Sequence, residues 1–260
     1  MDCEFAIVGG TGLYRPGLLE EARPVTVATP YGTVTLSLGQ VGPRRVGFLP
    51  RHGEGHSVPP HRVNYRANIW ALQRLGVRHV LATGACGSLS EGIPPGTLAL
   101  VDQFLDFTQG RPSTFFDGQD GLVRHTDMTD PYCPRLRSAL AAGAAALGLP
   151  LTPRATYVCT QGPRFETPAE IRAFARLGGD LVGMTGVPEV CLAREAGLCY
   201  ATVAISTNFA AGLAGLPLQH AEVVAAMAAA MDAVAALLRR TITDLPPLPC
   251  DACGAPPAPL

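Results

Sequence analysis

The chain contains no lysine: all 20 of its Lys and Arg residues are arginine. Every mechanism that requires an ε-amine is thereby excluded, which removes Schiff-base aldolases, pyridoxal-phosphate enzymes, Walker-A nucleotide hydrolases and protein kinases. Abundant Ala, Gly, Pro and Arg make codon bias the simplest cause, and the exclusion holds whatever the cause. An excess of either charge is also missing, with charged residues at 16% and a net charge of -1. No basic field is available to hold a phosphodiester backbone, so no nucleic-acid partner is expected. No run of about 18 uninterrupted apolar residues occurs, so neither a membrane span nor a membrane partner is expected. The start, MDCEFAIVGG, lacks the basic region and long apolar stretch of a secretory signal, and a cytoplasmic placement is expected.

The 8 cysteines show no framework spacing. Most lie inside apolar segments such as YVCT, EVCLA and GLCYA and read as small reduced core residues. Only Cys250 and Cys253 form a CxxC, within the Pro-rich PPLPCDACGAPPAPL. A zinc site needs about four ligands, and no second pair or nearby His completes this one along the chain. No metal is therefore expected, and residues 245–260 read as a disordered or loosely attached tail.

What is present suits one globular domain, residues 1–244, since 47% of the residues are hydrophobic and no linker or internal repeat interrupts them. Short apolar runs predict strands at Phe5–Val8, Val46–Leu49, His79–Thr83, Thr97–Val101, Ala155–Cys159, Leu181–Met184 and Ala201–Ser206. Helical patterns fall at Asn64–Leu75, Pro134–Leu147, Pro168–Leu177, Pro188–Ala196 and Glu222–Arg240. The third of these opens on Thr167-Pro168-Ala169-Glu170, a capping box with Pro at the first helical position. Alternating strands and helices indicate an α/β fold with a largely parallel or mixed sheet.

Strand after strand ends in a polar or glycine-rich cluster: Gly9-Gly10-Thr11-Gly12, Arg51-His52-Gly53, Gly84 to Ser88, Met184-Thr185-Gly186 and Ser206-Thr207-Asn208. Ligands of open α/β sheets lie outside the carboxyl ends of the strands, so the five clusters are expected to share one pocket. Backbone N–H groups of the first turn, with the Thr11 hydroxyl, suit an anion, and the planar Arg51 guanidinium beside His52 and His56 suits phosphate. Gly183 leaves room for a ligand or another backbone. Trp70 reads as a core anchor or a stacking platform, and Phe165, in Gly162-Pro163-Arg164-Phe165-Glu166, as a cover for a flat ring or a core plug. GGTG also opens dinucleotide-binding folds, but the third fingerprint glycine is missing.

In this order the clusters resemble the nucleoside phosphorylase family that includes the 5'-methylthioadenosine and 5'-methylthioinosine phosphorylases. The match runs from IVGGTGL through RHG, VNYRANIWAL, ACGSL, HTDMTDPYCP, TQGPRFET and GMTGVPE to STNFAAG. The resemblance implies a single domain with a mixed central β-sheet flanked by helices. It implies a reaction in which phosphate attacks C1' of a purine nucleoside and releases the base, with phosphate a co-substrate and no cofactor. Thr11, Arg51, His52, Ala85 and Thr185 are implied as the phosphate site, Met184 under the ribose and Phe165 against the base. His125 is implied as a residue lent to the neighbouring subunit of a homotrimer. Two departures bear on substrate. Adenosine-type members carry Asp at the positions of Asn208 and Ala210, and an amide that both donates and accepts suits a 6-oxopurine. Asn208 is accordingly the expected catalytic residue. Gly84 stands where the methylthioadenosine enzymes have Thr, so one donor to phosphate is missing. The first expectation is a 6-oxopurine nucleoside phosphorylase, with 5'-methylthioinosine ahead of inosine and guanosine. The alternatives are a 5'-methylthioadenosine phosphorylase, an NAD-dependent oxidoreductase using GGTG, and a non-catalytic nucleoside-binding module. Leu213, Leu216 and Leu218 are candidates to line a methylthio pocket.

Overall fold

The computed structural model describes residues 3–9, 18–119, 121–213, 220–246, 250 and 253. The first strand, β1 (Phe5–Gly9), is buried along its whole length, as expected of an apolar run with both faces covered. β2 (Glu20–Thr29) and β3 (Gly32–Val41) form an antiparallel hairpin that the strand predictions missed. β2 lies at the sheet edge and is largely exposed, so it lacks the apolar run used to find the others. The alternation in TVTLSL, with Val34 and Leu36 buried, was the available signal.

There follow β4 (Arg44–Pro50), α1 (Tyr65–Arg74), β5 (His79–Ser88), β6 (Leu98–Phe107), α2 (Pro134–Ala146) and β7 (Leu151–Thr160). The chain continues through α3 (Pro168–Arg176), β8 (Leu181–Gly183), α4 (Gly186–Glu195), β9 (Cys199–Phe209) and α5 (His220–Asp244). All seven strands and five helices expected from the sequence are present, most of them longer than expected. The capping box forms: the Thr167 hydroxyl accepts from the Glu170 amide, and the Glu170 carboxylate accepts from that of Thr167. The 9-stranded sheet runs β2-β3-β4-β1-β5-β8-β7-β6-β9, and β9 also pairs with β5. That last pairing closes β5, β8, β7, β6 and β9 on themselves, which a simple open sheet would not do.

Two main cores lie on opposite faces. One packs α1 and α4 (Ile69, Leu72, Val190, Leu192) on the sheet, and the other packs α2 and α5 (Leu136, Leu140, Met231, Leu238). α5 extends one turn beyond the expected Arg240, where Thr241 donates to the Leu237 carbonyl and Arg240 pairs with Asp244. Within Ala221–Asp244 an 18-residue stretch reaches a mean hydropathy of 1.8, long and apolar enough by length and composition to cross a membrane, although Glu222 and Asp232 interrupt it. Met227, Met231, Val234, Leu237, Leu238 and Ile242 are all buried, so one face of this helix serves the core. Of the expected tail, Leu245 and Cys250 are buried and Cys253 packs against the same core, while most of 247–260 lies outside the described residues.

Candidate active site

The strand ends bring their polar clusters together. A cleft with an empty volume of about 820 Å³, its open mouth included, is lined by Arg51, His52, Ala85, Phe165, Met184, Thr185, Asn208 and Ala210. Four of the five expected clusters thus share one pocket. Of the fifth, Thr11 and its neighbouring glycines lie outside the described residues, as do Leu216 and Leu218. Leu213 is exposed, and Trp70 is half-buried under the Arg74 guanidinium and does not line the cleft. His125 is exposed and also lies outside the lining.

Arg51 leaves β4 with its amide bonded to the Gly9 carbonyl (3.0 Å), so the β1–β4 pairing fixes its backbone. Its guanidinium is not a free cation. Nε and Nη2 donate to the two oxygens of Glu189 (2.6 and 2.7 Å), and Nη1 donates to the Thr83 carbonyl (2.9 Å). Burial opposes the charge on Arg51, but the Glu189 carboxylate outweighs it and holds the pKa above its ordinary value. One N–H each on Nη1 and Nη2 remains for a ligand. Glu189 is fully buried and also accepts from the Tyr200 hydroxyl (2.7 Å). The sequence reading missed it, although a carboxylate inside the apolar VPEVCLA was a signal.

His52 Nδ1 lies 2.8 Å from the Val58 carbonyl, which only accepts, so this nitrogen carries the proton and Nε2 is left as an acceptor. The ring stacks on His56 at 4.2 Å. Burial, and then the Arg51 charge, lower the His52 pKa from 6.5 to about 4. The unfolded imidazole protonates near 6.5, so between 6.5 and 4 the unfolded state binds more protons. Stability is therefore expected to fall as pH drops through that window, with His52 contributing up to about 3 kcal/mol. Urea unfolding across pH checks this: His52→Gln should flatten the slope, and an unchanged slope would contradict the assignment.

Several backbone features are set by close packing. A Cβ on Gly183 would fall 2.4 Å from the Tyr157 hydroxyl, so the side chain of Tyr157 takes the space the sequence reading left for a ligand or backbone. That hydroxyl accepts from the Thr185 and Gly186 amides (3.2 and 3.4 Å) and holds the turn entering α4. A Cβ on Gly87 would lie 3.3 Å from Val182 Cγ1 and 3.4 Å from Asn208 Nδ2, whereas one on Gly84 would meet nothing within 4 Å. Position 84 therefore has room for a side-chain donor and lacks one. Cys86 also lines the cleft, but burial pushes its thiol up to about 12, so it stays protonated and is no nucleophile.

At the other side of the site, Phe165 is 40% exposed, which rules out the core plug, and Met184 packs on Gly162. Asn208, at the end of β9, has Oδ1 within 2.8 Å of the Thr207 hydroxyl and donates from Nδ2 to the Phe209 carbonyl (2.8 Å). These bonds fix the amide and leave it one N–H and one lone pair. Glu166, also missed, is buried in the lining, where one carboxylate oxygen accepts from the Thr160 hydroxyl (2.6 Å). The cleft thus offers donors for an anion, an aromatic wall, and an amide and a carboxylate with unused hydrogen-bonding capacity. Among the described residues it offers no thiolate or amine nucleophile.

Comparison with known proteins gives the family. Residues 4–243 match the family model described as the phosphorylase superfamily. The chain is 53% identical to a 6-oxopurine nucleoside phosphorylase of Pyrococcus furiosus over 93% of its own length and 92% of the relative's. It is 46% identical to an S-methyl-5'-thioadenosine phosphorylase of Hyperthermus butylicus, over 97% and 93% of the two chains. Among solved structures, methylthioadenosine phosphorylase from Schistosoma mansoni with adenine superposes at a TM-score of 0.88, with 37% identity and coverage of 93% and 91%. The chain belongs to the phosphorylase superfamily, in the group that holds these purine nucleoside phosphorylases.

Proposed function

We propose that the protein catalyses phosphorolysis of 6-oxopurine nucleosides, with 5'-methylthioinosine the first substrate and inosine and guanosine next. The observation that carries this reading is the pairing of Asn208 with Glu166 in one cleft lining. A 6-oxopurine presents O6 as acceptor and N1–H as donor. The free Asn208 N–H suits O6, its free lone pair suits a proton on N7, and the Glu166 carboxylate suits N1–H. Adenine offers an acceptor at N1, which a carboxylate repels.

In the reaction a phosphate oxygen bonds to C1' as the C1'–N9 bond breaks. The electron pair goes to the purine, which takes a proton at N7, and the sugar passes through a cationic, oxocarbenium-like state. A phosphate dianion stabilises that cation and then captures it, so no carboxylate pair of the glycosidase kind is needed. Phosphate takes the two free N–H groups of Arg51, the Thr185 hydroxyl and the Ala85 amide, with Thr11 from the first turn, and the remaining P–OH of the dianion donates to His52 Nε2. Met184 lies under the ribose, and Phe165 covers the base at the mouth.

His125 serves the 5' end of a nucleoside in a neighbouring subunit of a trimer. Its exposure beside the exposed apolar Leu122 and Val123 supports a contact with another copy. A cytoplasmic role in purine salvage fits eight free thiols. Turnover of methylthioinosine, inosine, guanosine and methylthioadenosine at fixed phosphate tests the reading. Hypoxanthine release that depends on phosphate is expected. Equal cleavage without phosphate would refute it, and preference for methylthioadenosine would favour the 6-amino reading shared with the Hyperthermus relative.

A further inference from the structure

Far from one another in sequence, Cys133, Cys199, Cys250 and Cys253 place their four sulfur atoms within 4.8 Å of one another. None of them lines the nucleoside cleft. The other four cysteines join no such group among the described residues.

Two of these side chains project from rigid positions. Cys133 is the N-cap of α2, its amide bonded to the Tyr200 carbonyl (2.8 Å). Cys199 opens β9, its amide bonded to the Arg78 carbonyl (2.8 Å). The other two come from the CxxC, where the Cys253 amide donates to the Cys250 carbonyl (3.2 Å). Arg44 and Arg135 donate to the carbonyls of Leu245 and Pro246 (2.9 and 2.6 Å) and carry the chain end to this place.

We propose that these four cysteines form a tetrathiolate site for one zinc ion, which staples the C-terminal segment to the starts of α2 and β9. Zinc–sulfur bonds of about 2.3 Å in a tetrahedron separate the sulfurs by about 3.8 Å. The Cys133 and Cys250 sulfurs stand at 3.5 Å, close to that edge and well beyond the roughly 2.05 Å of a disulfide. The Leu136 amide points at the Cys133 sulfur (3.5 Å), the type of N–H···S bond that supports a metal thiolate. Two ligands from a CxxC turn and two from ordered elements complete a closed four-coordinate shell with no place for a substrate. The role is structural. Zinc exchanges a thiol proton at each ligand for a metal–sulfur bond and requires no oxidant.

The full chain, purified under reducing conditions, tests this by elemental analysis, cobalt exchange and intact mass. About one zinc per chain is expected, and cobalt in its place should show the intense visible bands of a tetrahedral thiolate complex. Cys250→Ser with Cys253→Ser should drop the metal to below about a tenth of an equivalent and lower the Tm. The same variant should leave phosphorolysis within about twofold, because the site serves stability and not the reaction. Cys191→Ala, outside the cluster, should keep its zinc. Absence of zinc together with no thiolate bands on adding cobalt would overturn the proposal. So would a non-reduced mass short of the hydrogens of one or two disulfides, or zinc retained in the double variant. The wild-type cobalt spectrum decides even if the variant fails to fold.

Discussion

Replacing Asn208 by Asp is expected to move the ratio of kcat/KM for inosine-type over adenosine-type nucleosides toward the 6-aminopurines by about 10³-fold. The amide is held by its bonds with Thr207 and Phe209, leaving one donor and one acceptor for the base. A carboxylate at this place keeps the acceptor for a protonated N7 and loses the N–H that serves O6. The two oxygens, one of the base and one of the carboxylate, would then face each other unpaired, the kind of mismatch that a buried polar site rejects most strongly. Glu166 still favours N1–H in the variant, so the adenosine side should gain less than the inosine side loses. Steady-state rates on inosine, adenosine and their methylthio counterparts read the change, and an unaltered ratio would remove Asn208 from base recognition.

Truncating Glu189 to Ala is expected to destabilise the protein by about 3–5 kcal/mol, because it strands a buried guanidinium without its counter-charge. Arg51 and Glu189 have side chains only 2% and 0% exposed, and the pair is bidentate. The Tyr200 hydroxyl loses its acceptor in the same step. Removing both charges, as Arg51→Met with Glu189→Leu, should cost clearly less than the sum of the single changes, since no lone charge is left inside. Phosphorolysis should fall in all three variants, because Arg51 can present its two free N–H groups to phosphate only while Glu189 fixes the other face of the fork. Urea unfolding of the two single variants and the double one measures the coupling. Additive losses would show that the pair does not act as a unit.

The distinction between these residues is also one of legibility. Asn208, Thr185 and His52 stand at or just past strand ends and Ala85 in the last part of β5, where an apolar run gives way to polar and glycine residues, so local pattern marks them. Glu189 stands inside a helix and Glu166 inside a loop. What gives each its place in the site is the partner it meets, Arg51 from 138 residues away in one case and the shared cleft in the other. The hairpin of β2 and β3 escaped for a related reason. Its outer strand is exposed, and its place in the sheet is fixed by pairing to β3 rather than by its own hydrophobicity.

The CxxC shows the same limit. Read along the chain, Cys250 and Cys253 lack companions, because proximity in sequence was the only available measure of proximity in space. Folding brings β9 beside α2 and returns the chain end to both, and the two missing thiols arrive with them. A ligand set contributed by three separate segments has no spacing to read.

The sequence by itself determined the chemistry that is ruled out, since without lysine no amine mechanism is available. It also determined the order of the helices and of seven of the nine strands, the capping box, and the polar strand ends that make a pocket, all of which depend on neighbours within a turn or two. Tertiary structure alone decided that Arg51 is neutralised by Glu189 and keeps only two N–H groups unused. It alone closed β5 against β9 and gathered four thiols around one point. Those outcomes rest on buried polar groups finding partners across the core, a requirement of desolvation that no local pattern can express.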